Sequence, residues 1–203
     1  CRLWVKSLWP YETSKDFFIK RILLLVNGAK NLTRKDGSLE ESFPFESSYC
    51  VTALIAYDNL VAFELIQHEL TPLMKKKWLS IIQRWINFLI KSDEKHGFIS
   101  NHLATAAAVL FRWGYLNKEN NSGKKALAIG IDLIKKILNK QAPNDFWYLE
   151  YDGPDPGYQT LCITYLADVF NSLEKIKTIN CDLKENLLIS LKKSINFLSY
   201  FFH

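Results

Sequence analysis

Cysteine is scarce in this chain, and what there is carries no metal pattern. Cys1, Cys50, Cys162 and Cys181 form no CxxC pair and no Cys/His ligand spacing, so we expect no metal site. Cys50 and Cys162 sit within apolar helical patterns, where a free cysteine behaves as a small hydrophobe. A reducing, cytoplasmic compartment is the simplest reading, with secretion left open. No run reaches the roughly 18 uninterrupted apolar residues of a membrane span, and no signal peptide is visible. No Lys/Arg stripe is interleaved with exposed aromatics, so nucleic acid is not an expected partner. Strand patterning is nearly missing; a short "FWYLEY" is the only candidate. No motif calls for a cofactor.

What is present is helical periodicity almost throughout 203 residues, with 48% hydrophobic and 23% charged residues and a net charge of +5. That length supports a core without staples, and we read it as one domain over residues 1–203. Helices are expected over about 15–30, with Phe18, Ile22, Leu25 and Val26 on one face, and over about 47–67. Pro72 opens a third, whose Trp78, Ile81, Ile82, Trp85, Phe88 and Leu89 fall at three-and-four spacing. Further helices are expected over about 101–116, 124–140, 158–173 and 182–202. The last carries Leu187, Leu188, Leu191, Ile195, Leu198 and Phe202 as a broad stripe.

Character alternates along this series. The helices starting near Ser47, Asn101 and Tyr158 are apolar nearly all round, and those starting near Pro72, Lys124 and Asp182 are amphipathic with Lys outward. A helix apolar all round must be enclosed, whereas an amphipathic one lies outside. Aligning Tyr49, His102 and Gln159 gives a repeat longer than the about 34 residues of an ordinary helical hairpin. We therefore expect an all-α fold, an incomplete α/α toroid of about seven helices. Its inner helices would run in one direction, with their N-termini and long loops gathered on one face. Such ends present unpaired N–H groups and the positive pole of a dipole, which suits anionic or hydroxylated ligands.

The three junctions supply the candidate residues. In "FPFESSY", Glu46 is either a first-turn acid or an acceptor for sugar hydroxyls. In "ISNHLAT", Asn101 would serve as an N-cap, while His102 adds nothing to a cap and so invites a functional reading. In "GPDPGYQTL", Asp155 would cap a helix that carries Tyr158 and Gln159. A Tyr hydroxyl at a positive helix end gives up a proton more readily. Trp147 and Tyr151, in the long loop before it, could stack on sugar rings or pin the loop. Glu150, Asp152 and Asp155 also invite a paired-carboxylate hydrolysis reading.

"DGSLEESFPFESSYCVTAL", "GFISNHLATAAAVL" and "EYDGPDPGYQTLCITYLA" together resemble α/α-toroid proteins of the heparinase II/III and alginate-lyase type. The resemblance spans roughly Asp36 to Ala167. It implies β-elimination on an acidic polysaccharide: Asn101 neutralising a uronate carboxylate, Tyr158 acting as base and acid, and His102 assisting. Glu46, Asp155, Gln159, Trp147 and Tyr151 would bind substrate. "KDGSL" separately resembles the DGS turn of terpenoid-cyclase toroids, whose aspartate-rich acid motif is absent here. The rival expectation is a non-catalytic toroid that binds a glycan or a partner in cell-surface polysaccharide metabolism. The chain starts at Cys1 rather than Met, and it ends on the apolar "SYFFH". We therefore expect a fragment of a longer chain, with a homo-oligomer contact or a missing domain covering the apolar ends.

Overall fold

A computed structural model describes residues 2–9, 12, 14–176 and 181–201. Cys1, Phe202 and His203, named above, lie outside the described residues. The protein is all-α. Among the described residues it contains a short α1 (Arg2–Val5) and seven long helices: α2 (Lys15–Leu32), α3 (Tyr49–Ile66), α4 (Pro72–Lys91), α5 (Ser100–Leu116), α6 (Asn121–Lys140), α7 (Pro156–Lys175) and α8 (Cys181–Ser199). Among the described residues there is no strand, and "FWYLEY" contributes only isolated bridges, from Glu150 to Ile99 and to Gly153. Phe146 and Tyr151, at φ 59° and 56°, bend that segment out of extended geometry. The chain divides into two compact units, Cys1–Phe88 and Leu89–His203.

In the first unit the "KDGSLEES" loop is built on Asp36. Its carboxylate accepts from the Ser38 N–H at 3.0 Å, the Ser38 hydroxyl at 2.7 Å and the Ser47 hydroxyl at 3.1 Å. Ser48 then caps α3, its Oγ accepting from the Val51 N–H at 3.1 Å. The α4 stripe packs as its spacing predicts, with Trp78 and Trp85 fully buried. Each indole N–H is satisfied, Trp78 by Asn59 at 3.1 Å and Trp85 by Thr33 at 2.8 Å. On α2 the packed face is Phe18, Ile22 and Val26 with Ile19 and Leu23 beside them. Leu25 falls off the edge of that stripe and is 65% exposed, against the sequence expectation.

The alternation of burial holds for α3 and α5, which are enclosed, and for α4 and α6, which bury one face. Residues Tyr49–Glu69 are long and apolar enough to cross a membrane by length and composition, yet 56% of the qualifying window is buried inside the fold, as in a core helix. α7 departs from the expectation of an all-round apolar helix. It buries one face (Cys162, Tyr165, Leu166, Val169 and Leu173) and leaves Tyr158, Thr160 and Thr164 exposed. In the second unit α5 packs against both α6 and α7, and α7 against α8. α8 also differs in detail from its sequence stripe. Ile195 is 55% exposed, and Ser190 and Ser194 hold buried positions instead. They do so because Tyr148 and Gln141 need partners there: the Tyr148 hydroxyl pairs with Ser190 at 2.7 Å, and Gln141 donates to Ser194 at 2.8 Å.

Candidate functional site

The junction where α5 and α7 begin is organised by the loop between α6 and α7. Its middle is stitched to the start of α5. Ser100 donates both its N–H (3.1 Å) and its hydroxyl (2.7 Å) to the Leu149 carbonyl, and the Tyr151 N–H donates to the Phe98 carbonyl at 3.0 Å. The loop's end then starts α7, where Asp155 caps the helix by accepting the Tyr158 N–H at 2.8 Å. Pro156 fills the first helical position, where its missing N–H costs nothing. The α5 and α7 N-termini thus meet the same loop.

Asn101 does not occupy the N-cap. That position is Ile99, which has no side chain able to cap. The cap is supplied from a distance instead. The Glu150 carboxylate accepts the Asn101 N–H at 2.9 Å and the Asn101 side-chain amide at 2.7 Å. Asn101 is buried and its amide is engaged by Glu150, so it is not open to a substrate carboxylate in this arrangement. Glu150 is buried too. Burial pushes its carboxyl above the ordinary value, and the hydrogen bonds from Asn101 and the charge of His102 only partly offset that.

His102 sits one residue further along α5, with its side chain 14% exposed. Its Nδ1 lies 2.7 Å from Glu94 Oε2. The other oxygen of Glu94 accepts the His96 N–H at 3.0 Å and lies 2.9 Å from His96 Nδ1. Burial alone would raise the Glu94 carboxyl. The bond from His102 and the contacts from His96 prevail and hold it at about 2, against an ordinary 4.5. An ionised Glu94 accepts only, so Nδ1 of His102 is the donor and a neutral ring leaves Nε2 as a base. Sequence reasoning missed Glu94, which lay in a segment read merely as a loop. The available signal was an acid two residues before one histidine and eight before another.

The remaining candidates are placed as follows. Tyr158 stands at the third position of α7, matching the place of His102 in α5, and is 46% exposed. Tyr151 is 52% exposed. Trp147 is half-buried, and its carbonyl accepts from the Ala142 N–H at 3.0 Å. Gln159 is fully buried: its Oε1 accepts the Tyr148 N–H at 2.8 Å, while its Nε2 finds no acceptor among the described residues. It ties the loop to α7 and is not presented to a ligand. Glu46 belongs to the first unit and precedes α3, so it is not a first-turn acid. Its carboxylate turns back to the N–H groups of Ser42 (3.0 Å) and Phe43 (3.4 Å). Of the carboxylates in the hydrolysis reading, Glu150 is engaged by Asn101, and one oxygen of Asp155 holds the α7 cap. Among the described residues no group of three His, Cys, Asp or Glu side chains is placed to hold a metal ion.

No family model, curated protein or solved structure matches this chain.

Proposed function

We propose that the α5–α7 junction of the second unit handles an acidic glycan, by β-elimination. The observation that carries this reading is the Glu94–His102 pair. The buried Glu94 carboxylate holds Nδ1 of the partly buried His102 imidazole, which leaves Nε2 as the ring atom outside that bond and the candidate base of this reading. In the proposed reaction Nε2 takes the proton α to the uronate carboxylate. The C4–O bond breaks as the C4–C5 double bond forms, and the Tyr158 hydroxyl gives a proton to the leaving oxygen; proton exchange with water then returns the imidazolium and the tyrosinate to their starting forms. Tyr151 and Tyr158 offer exposed rings for stacking on sugar, and Asp155 orients hydroxyls at the α7 end. Asn101 acts here through Glu150, as a positioning residue. The resemblance of the loop–helix junctions to α/α-toroid lyases supports the same substrate class.

The test is incubation with alginate, heparin-like and pectic polysaccharides, following the ultraviolet absorbance of the unsaturated product. Turnover that is lost in His102→Gln and Tyr158→Phe supports the reading, and silence across the panel sinks the elimination chemistry. A second reading, glycan binding without turnover, is favoured by one observation: the amide that the resemblance assigns to the substrate carboxylate is already engaged by Glu150. Its mark is binding in affinity electrophoresis that Tyr158→Phe leaves unchanged.

A further inference from the structure

A cleft of about 490 Å³ lies between the C-terminal end of α6, the loop that follows it and one face of α8. We propose that it binds an anionic, hydroxylated small molecule of about monosaccharide size, a sugar acid or a sugar phosphate. The proposal is independent of the α5–α7 reading, since none of the proton-moving groups above lines this cleft.

Three observations converge on it. The first is strain that has been built in and held. Phe146 has φ 59°, a left-handed conformation that a bulky aromatic residue rarely adopts. Its carbonyl is gripped by the Gln141 amide at 3.0 Å and the Ser194 hydroxyl at 2.9 Å, and its N–H donates to the Ala142 carbonyl at 3.1 Å. Strain of this kind persists only where the surroundings over-determine it, and it concentrates at ligand sites. Its result here is to set the Phe146 ring in the cleft wall, with the Lys193 ammonium 4.2 Å from the ring centroid.

The second is a fixed hydrogen-bonding group. Gln141 Nε2 is held by the Phe146 carbonyl and by Ser194 Oγ at 2.8 Å, with the Ser190 carbonyl at 3.4 Å. All three are acceptors or can act as one, so the amide cannot flip without losing them. The orientation of the amide is therefore preset, and Gln141 lines the cleft together with Asn186 of α8, two amides for a ligand hydroxyl.

The third is charge. Lys135 on α6 and Lys193 on α8 flank the cleft, against one lining acid, Asp182. A compact anion gains from both ammonium groups, whereas a neutral sugar gains only the hydroxyl contacts. The volume falls within the roughly 300–1,000 Å³ typical of small-molecule sites. An aromatic wall, a fixed amide and two flanking cations together fit a charged sugar better than a hydrophobe or a bare ion.

The test is calorimetric titration of the protein at low salt with glucuronate, glucose 6-phosphate, glucose and inorganic phosphate. We expect one or both charged sugars to bind with a Kd of about 1 mM or tighter, and glucose to bind at least about ten-fold more weakly. Which charged sugar binds more tightly tells carboxylate from phosphate recognition. Lys135→Gln and Lys193→Gln lie on exposed positions and should fold normally by circular dichroism. Each should weaken the charged sugar by about five- to ten-fold, and added salt should weaken it in the parent. His102→Gln should leave this binding unchanged, which separates it from the α5–α7 proposal. Inorganic phosphate binding as tightly as glucose 6-phosphate would overturn sugar recognition. So would glucose matching the charged sugars, no binding by either anion, or indifference to both lysine substitutions.

Discussion

Glu150 reaches across 49 residues to close on Asn101, taking its backbone N–H at 2.9 Å and its side-chain amide at 2.7 Å. One buried carboxylate therefore both finishes the first turn of α5 and anchors the α6–α7 loop. Removing it orphans two buried donors at once. Glu150→Ala should cost about 2–4 kcal/mol in urea unfolding. Glu150→Gln keeps an acceptor for one donor and should cost less. Their pH profiles should separate too. Burial raises the Glu150 carboxyl in the folded state, so its contribution is greatest below the unfolded value, near 4.5. It declines as pH rises through the raised folded value. Glu150→Gln should abolish that part of the pH slope; an identical slope in parent and variant would rule the account out.

Arg112 and Asp168 join α5 to α7 by a two-pronged pair, with Arg112 Nε donating at 2.6 Å and a second contact from its terminal nitrogen. Both side chains are about five-sixths buried, at 16% and 15% exposed. Losing one partner leaves a largely uncompensated charge, so Arg112→Met or Asp168→Leu alone should destabilise by about 3 kcal/mol. The double substitution should recover much of that, since apolar replacement of a buried pair is often neutral. A double-mutant cycle reads this directly, and additive losses would show that the pair contributes little as a pair.

The helices were legible where a face repeats locally. Trp78, Ile82, Trp85 and Leu89 mark α4 by spacing alone, and Asp155-Pro156-Gly157 announces both the cap and the first turn of α7. Legibility failed at stripe edges and across long distances. Leu25 and Ile195 fit a helical stripe on paper, but the packed arc is narrower than the apolar one. The sequence around Asn101 reads as its own cap, and nothing local shows that Ile99 holds that position while Glu150 does the capping. Glu94 was hidden for the same reason: its partner lies eight residues on and one turn into a helix. The site's residue types could be read, but which of them engage one another needed the fold.

Gly37 is the one glycine in the "KDGSL" turn, and two constraints act on it. Its φ is +94°, which L side chains rarely adopt, and a Cβ there would stand 2.5 Å from the Arg84 carbonyl oxygen of α4. That carbonyl is backbone and cannot swing aside. The Arg84 guanidinium also donates to the Arg34 carbonyl at 2.7 Å, so the turn and α4 are joined twice. Gly37→Ala should therefore destabilise by more than about 1 kcal/mol, where the same change at a compatible site would add stability. Gly97, at φ +129° with open space around it, serves as the control. Gly97→Ala meets strain without a clash and should cost less; equal losses in thermal unfolding would remove the close-approach argument.

Glu94 offers the sharpest pH test, because its side chain is only 3% exposed and its carboxyl is held at about 2. A carboxyl depressed by folding adds stability that is fully present above the unfolded value of about 4.5 and is lost as pH falls through the folded one. The loss should therefore develop between about pH 4.5 and 2, and it amounts to about 3 kcal/mol at one pKa unit per 1.36 kcal/mol. Glu94→Gln should be less stable than the parent at pH 7 and should show a flatter acid limb, the two curves converging near pH 2. The same residue sets the histidine tautomer. Nitrogen-15 shifts of neutral His102 should report the proton on Nδ1 in the parent and a mixture in Glu94→Ala. A parent ring protonated on Nε2 would show that Glu94 does not orient it, and the base assigned to the α5–α7 junction would fall with that result.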